Sequence, residues 1–264
     1  MTITRRQALA GAALLPSLLG AGAAGAQTPL RADAPTHWRF DLIGASLTVL
    51  LTSIGSGGNP RRTFGLNVDD EAFAEAARGA FQPLDHLPYV FQPVVIDTGS
   101  ARVLIDTGMD SFSLRAALEA AGYVAEDITH VLISHMHGDH IGGLTDGGEP
   151  TFPGAAHFAG RVEWEHWAGR SDRTFDRKVR PLEARFELLE DGDVPVPGVT
   201  ALAAFGHTPG HLAFHIAAGT REFLHIVDAA IHPAWSLAHP DWQVSFDSDH
   251  AQAAATRRAR GSSP

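Results

Sequence analysis

Three histidines and an aspartate fill four of the six positions of HMHGDH, residues 135–140. Neutral imidazole and carboxylate are the nitrogen and oxygen donors that zinc and similar divalent ions accept, and a catalytic ion keeps one position for water. His135 and His137 are two apart, so on an extended segment their rings point the same way and can share one ion. Asp139 and His140 lie past Gly138, where the backbone is free to turn and aim this second pair at a neighbouring ion. A second motif, GHTPGH, brackets His207 with Gly206, Pro209 and Gly210, a tight turn that would hold one imidazole in place. Asp228, after a further apolar run, can supply a carboxylate between two ions.

The elements that must position these residues are legible in outline. The run Ile128 to Ile133 predicts a short buried strand that delivers HMHGDH to a sheet edge, so the histidines fall on a loop after a strand. Further strands are expected over Ala45 to Ser53, ended by GSGGNP, over Phe91 to Asp97 and over Arg102 to Asp106. Others are expected near Ala155 to Phe158 and over Val199 to Ala204, Leu212 to Ala217 and Glu222 to Val227, the last placing Asp228 at a strand end. Helices are expected over Asp69 to Ala77, Ser113 to Ala121 and Arg161 to Ala168, with a charged helical region to about Arg185. Strands and helices alternate throughout, so the class is α/β.

In this order, and preceded by LIDTG at 104–108, HMHGDH, GHTPGH and Asp228 resemble the metallo-β-lactamase fold superfamily over about Ala45 to Asp228. The resemblance implies an αββα sandwich with metals at one edge between two sheets. It assigns His135, His137 and His207 to a first ion, and Asp139, His140 and Asp228 to a second, with Asp228 bridging. Asp106 would orient ligands from behind. Zinc is the implied ion, one or two per chain, with other divalent ions as substitutes. The implied activity is that of a metallohydrolase: a metal-bound hydroxide attacks a lactone, an activated ester or a phosphotriester, and Asp139 accepts a hydrogen bond from the attacking water.

Asp228 stands where true β-lactamases often carry cysteine, and the segments around GHTPGHLAFHI and HPAWSLAHPDWQVSFDSD look more like exported hydrolases related to methyl parathion hydrolase and dinuclear lactonases. A mononuclear iron dioxygenase of the persulfide type, with two His and one Asp, is the alternative on the same fold; His140 beside Asp139 argues against it. A defective, non-catalytic relative is a third reading. It arises because the helix expected from Asp247 is followed by no further strand, which implies a C-terminally truncated sandwich lacking its last strand and its last histidine ligand. His232, His239 or His250 would then have to substitute. His232 is expected at the pocket edge, His211 behind the ligands, and His157, His166, His215 and His225 in the core or on the surface.

Composition bounds the rest. The chain has 264 residues, 44% hydrophobic and 19% charged, ordinary values for a folded domain. Its formal charge of -10 disfavours a nucleic-acid partner, and the absence of cysteine excludes disulfides, thiolate ligands and a cysteine nucleophile. The expected partner is a small-molecule substrate. Residues 1–26, with Arg5 and Arg6, an Ala/Leu/Gly stretch and Ala24-Gly25-Ala26, resemble a twin-arginine export signal. The catalytic domain would then be 27–264, periplasmic or secreted and free of the membrane after cleavage. Phe64 to Pro93 is expected to form a lid or a homodimer contact. Among Phe64, Phe73, Phe81, Tyr89, Trp164, Trp167, Trp235 and Trp242, most are expected in the core.

Overall fold

A computed structural model describes residues 36–261; the expected export signal lies outside the described residues. In chain order the strands are β1 (His37–Leu42), β2 (Ala45–Leu50), β3 (Ser53–Gly57), β4 (Leu87–Phe91), β5 (Val94–Asp97), β6 (Arg102–Ile105) and β7 (His130–Ile133). There follow β8 (Thr145–Asp146), β9 (Glu149–Pro150), β10 (Ala156–Gly160), β11 (Phe186–Leu189), β12 (Val199–Ala203), β13 (Leu212–Ala218) and β14 (Arg221–His225). The α-helices are α1 (Asp70–Gly79), α2 (Ser111–Ala120), α3 (Gly138–Ile141), α4 (Arg161–Ala168), α5 (Arg173–Lys178) and α6 (His250–Gly261). No helix among the described residues is long and apolar enough to cross a membrane.

The large sheet runs β1-β2-β5-β6-β7-β10-β11, and a smaller one runs β12-β13-β14. In the large sheet β1, β2, β5 and β6 are antiparallel, whereas β6, β7, β10 and β11 are mutually parallel. The short strands VLI of β6 and VLI of β7 are buried on both faces, which is why they read as unbroken apolar runs. One face packs Val95, Leu104, Val131 and Ile133 against Leu114 and Leu118 of α2 and Trp164 of α4. The other packs Ile96, Val103, Ile105 and Leu132 against Val199, Ala201, Leu212 and Phe214 of the smaller sheet. Two sheets thus share one apolar interior, with helices on the outer face of the larger. This is the mixed α/β layering that the sequence implied.

Helix starts follow local chemistry. Asp69, Asp110 and Asp172 each accept a hydrogen bond from a first-turn backbone N–H, of Ala72, Ser113, and Thr174 with Phe175 respectively. Several expected boundaries move. The strand expected over Phe91 to Asp97 divides at Pro93, which has no N–H to offer a ladder, so Phe91 closes β4 and Val94 opens β5. The glycine-bearing segment expected to end the first strand instead forms β3, paired with β4. β14 stops at His225, and Asp228 lies in the following 3₁₀ turn, Val227–Ala230, rather than at the strand end itself. β1 and β11, unforeseen, are the two edges of the large sheet, where solvent-facing positions erase the apolar signal.

Candidate metal centre

Parallel strands end at a common edge, and this edge is where the chemistry collects. Asp106 follows β6, Ser134 to His140 follow β7, and Glu163 lies in the helix after β10. From the smaller sheet, the turn after β12 brings His207, and a backbone hydrogen bond from Leu212 N–H to the Ser134 carbonyl (2.9 Å) joins β13 to the end of β7. The sites for ligands in open α/β sheets lie at such carboxyl ends of strands.

All six residues singled out by spacing converge there. His135 Nε2 is 3.0 Å from His137 Nδ1, and His207 Nε2 is 3.1 Å from the same atom. One oxygen of Asp228 lies 3.4 Å from His140 Nε2, 3.5 Å from His207 Nε2 and 3.9 Å from His135 Nε2. Asp139 Oδ2 is 3.4 Å from His140 Nε2. Two sets of donor atoms, one from His135, His137 and His207 and another from His135, His140 and Asp228, each fall within 4.8 Å. The second set differs from the expected trio in taking His135 beside His140 and Asp228, with Asp139 flanking.

The outer nitrogens of three rings are tied down, which fixes their tautomers. Ser134 Oγ donates to Asp106 Oδ2 at 2.7 Å, so it can only accept from His135 Nδ1 at 3.0 Å. His140 Nδ1 faces Asp106 Oδ2 at 2.8 Å, and His207 Nδ1 faces Asp247 Oδ1 at 3.4 Å, both acceptors. Each ring therefore keeps a proton on Nδ1, and the Nε2 atoms of His135 and His207 turn to the centre. A tetrahedral ion with Zn–N of about 2.0–2.1 Å asks for nitrogens about 3.3 Å apart, close to the 3.0 and 3.1 Å that separate His135 Nε2 and His207 Nε2 from His137 Nδ1. The donor set therefore fits a divalent ion of the zinc type.

Burial shapes the charge of the site. Burial first, then neighbouring rings, holds His135 well below the usual histidine range and His137 down to about 4. His140 is also buried, but Asp228 and Asp106 outweigh that and raise it well above the usual value. Burial pushes Asp228 up, and His140 with His207 more than reverses this, holding its carboxyl low. The carboxylates around His140 thus favour its charged form.

Three residues that spacing did not single out hold the ligands in place. Glu163, buried in α4, accepts from Met136 N–H (3.0 Å) and Trp167 Nε1–H (2.6 Å) on one oxygen, and from Thr208 Oγ–H (2.7 Å) and Gly210 N–H (2.9 Å) on the other. It thereby clamps both ligand loops together. Gly210 has to be glycine, because a Cβ there would run into the Glu163 backbone N. Asp247 and Arg257 stand behind His207. A glutamate in a helix that also carries Arg161, Glu165 and His166, and an arginine near a helix end, carry no local signature, so only their partners identify them.

The other expected residues fall as follows. Asp106, with φ 61°, bonds both Ser134 and His140. His211 is fully buried and its Nε2 accepts the Asp228 N–H at 3.2 Å. His232 stacks on Trp235 at 4.3 Å and lines the cavity. His225, expected in the core or at the surface, lines the cavity as well, because β14 ends beside Asp228. Phe73, Trp164 and Trp235 are core; Phe64 and Tyr89 reach the cavity, and Phe81 is exposed. Within the segment expected as a lid, α1 packs on Trp235 and β4 walls the cavity. That cavity, of about 1230 Å³, opens over His137, Asp139, His140, His207 and Asp228.

Comparison with known proteins agrees with this geometry. The family model described as "Metallo-beta-lactamase superfamily" matches residues 93–263. An N-acyl homoserine lactonase of Bacillus sp is 33% identical over 94 residues, 36% of this chain and 35% of that protein. A lactamase-like protein of Emericella nidulans is 31% identical over 123 residues, 46% of this chain and 33% of that protein. The chain thus aligns with about a third of the length of these relatives. Among solved structures, AidC, a dizinc quorum-quenching lactonase in complex with a product, superposes with a TM-score of 0.77 at 22% identity, covering 85% of each chain. The hydrolase AbOPH superposes with a TM-score of 0.77 at 21% identity, covering 86% of each chain. At that identity the superpositions speak for the fold alone, and the family model, matched over residues 93–263, shows the family: the chain belongs to the metallo-beta-lactamase superfamily.

Proposed function

We propose that this chain is a zinc-dependent, dinuclear hydrolase of small lactones, activated esters or phosphotriesters. The observation that carries the reading is the convergence of His135 Nε2, His137 Nδ1 and His207 Nε2 on one point, with Asp228 beside them, at the base of a largely apolar cavity. His135, His137 and His207 would hold one ion, and Asp139, His140 and Asp228 the other, with Asp228 between them. Two such ions lower the pKa of a shared water toward about 7 and polarise a carbonyl or phosphoryl oxygen.

The protein's own groups do the rest. Asp139, half-buried and held below the ordinary carboxylate range by His140 despite its burial, stays charged and would accept a hydrogen bond from the attacking water. Asp106 and Asp247 keep the imidazoles of His140 and His207 from rotating. Phe64, Leu87, Tyr89 and Phe91 exclude water around an apolar acyl or aryl group. The lactonase names among the relatives support lactones and esters ahead of β-lactams. A periplasmic or secreted location after twin-arginine export belongs to the same proposal, resting on residues 1–26.

Metal analysis of the purified chain beside a panel of a lactone, an aryl ester, a phosphotriester and a cephalosporin tests this. The expected result is zinc above one equivalent and turnover of lactone or aryl ester, abolished in a His135→Ala His137→Ala variant. Turnover of the cephalosporin alone would reverse the substrate assignment. Iron alone at one per chain would favour the dioxygenase.

A further inference from the structure

The cavity over the metal centre has two unlike walls. Leu87, Tyr89 and Phe91 of β4 make one of them apolar, whereas α5 contributes Arg173, Arg177 and Lys178 to the other. α5 lies directly against the ligand loop: Thr174 Cγ2 is 3.5 Å from the point where a Cβ on Gly138 would stand, between His137 and Asp139. Arg173 and Arg177 are four residues apart, so one face of α5 presents both to the cavity.

The other cations of this segment are committed within the protein. Lys178 Nζ donates to the Thr145 carbonyl at 2.9 Å, and Arg180 pairs with Asp176 at 2.5 Å and donates to the Ala168 carbonyl at 3.0 Å. The guanidinium groups of Arg173 and Arg177 make no hydrogen bond, ion pair or ring contact among the described residues. Carboxylates are not scarce in a chain with 30 acidic against 20 basic side chains, and two sit within the same stretch. Asp172 is occupied in capping α5, and Asp176 with Arg180. Two unpaired guanidinium groups therefore border an apolar cavity in a protein of formal charge -10. A guanidinium offers a planar fork matched to carboxylate, sulfate or phosphate oxygens, and two of them beside a cavity of low polarity select for an anion.

We propose that Arg173 and Arg177 form an anion-recognition subsite, and that the substrate is an ester or lactone with an apolar body and a separate carboxylate or comparable anionic group. The apolar body lies along β4, and the anion lies on α5. This inference rests on the hydrolytic reading of the same centre and narrows its substrate class.

A matched pair of esters tests it: 4-nitrophenyl hexanoate and the mono-4-nitrophenyl ester of adipic acid, which differ in a terminal carboxylate. The zinc-loaded protein is expected to prefer the charged ester about tenfold in kcat/KM, mostly through KM. Arg173→Gln Arg177→Gln, on an exposed face and with helix propensity kept, should abolish the preference while leaving the neutral ester within about twofold. Added salt should erode the preference in the same direction. Equal kcat/KM for the pair in the unaltered protein, or a preference that survives the double substitution, overturns the proposal. If neither ester is turned over, the hydrolytic reading fails, and calorimetric titration of the chelator-treated chain with octanoate and octanamide decides the subsite. Octanoate binding lost in the double variant supports it. Equal binding of both ligands, or binding unchanged by the double substitution, overturns it.

Discussion

Arg257 donates to Asp247 at 2.8 Å with both side chains buried, and Asp247 turns its other oxygen toward His207 Nδ1 at 3.4 Å. The helix α6 is thereby wired to a ring at the metal centre, since Arg257 also donates to the Pro240 and Trp242 carbonyls at 2.9 and 3.0 Å. Arg257→Met leaves a buried carboxylate without its cation, and the expected cost is about 3–5 kcal/mol in urea unfolding. Asp247→Asn keeps the shape but weakens the hold on His207. The expected result is a drop of about 10–100-fold in zinc affinity, read by competition with a chromogenic chelator. An affinity unchanged by Asp247→Asn would remove this residue from the account of the centre.

Glu163 joins the two ligand loops through four accepted hydrogen bonds. A glutamine there retains one accepting oxygen and turns two N–H donors toward groups that also donate. Glu163→Gln should cost about 2–4 kcal/mol and lower Tm by several degrees. Glu163→Ala should do at least as much. A Tm within one degree of the unaltered chain, measured by calorimetry, would contradict the clamp.

His157 in β10 is fully buried, and burial first holds its ring down to about 4, with the Ala155 backbone opposing in part and Arg185 adding to the depression. A depressed value in the folded state means that the unfolded chain binds more protons between about pH 6.5 and 4. Stability is thus fully present above pH 6.5 and is lost as pH falls toward 4, by about 3 kcal/mol from this residue. His157→Leu removes that term. The stability difference between the two proteins should therefore shift by about 3 kcal/mol in favour of the leucine variant between pH 7 and pH 4. A difference independent of pH would show that His157 does not titrate in this way.

Chelation should lower Tm, and zinc should restore it. Ions that bind only the folded chain stabilise it by about 4 kcal/mol at a thousand times their dissociation constant. The double substitution His135→Ala His207→Ala should abolish the zinc-dependent part of Tm. A Tm indifferent to both chelator and zinc would argue that the donor cluster binds no ion.

Some of this was legible from the chain itself. HMHGDH, GHTPGH and Asp228 were legible as candidate donors because metal ligation demands particular atoms at short spacings, and those spacings are local. Buried strands such as β6 and β7 were legible for the same reason: every side chain in them faces apolar surroundings, so the run is continuous. Gly206 and Gly210 marked a tight turn, though not its cause. At Gly206 the backbone has φ 124° and a Cβ would strike the Ala253 backbone of α6, a neighbour far along the chain.

What only the tertiary structure decided is which distant groups meet. Glu163, Arg257 and the pair Arg173 and Arg177 are ordinary charged residues on helices, and Asp247 lies just before one, positions where a charged side chain is most often a solvated one. Glu163, Arg173 and Arg177 meet the site because the chain after β10 returns along the edge where β6 and β7 end, whereas Asp247 and Arg257 are buried there because the segment after β14 folds back against His207. The sequence determined the candidate donor atoms, since a donor set is a matter of residue type and near spacing. Burial and partner choice depend on long-range packing, so the structure alone decided how those atoms are held and what stands beside them.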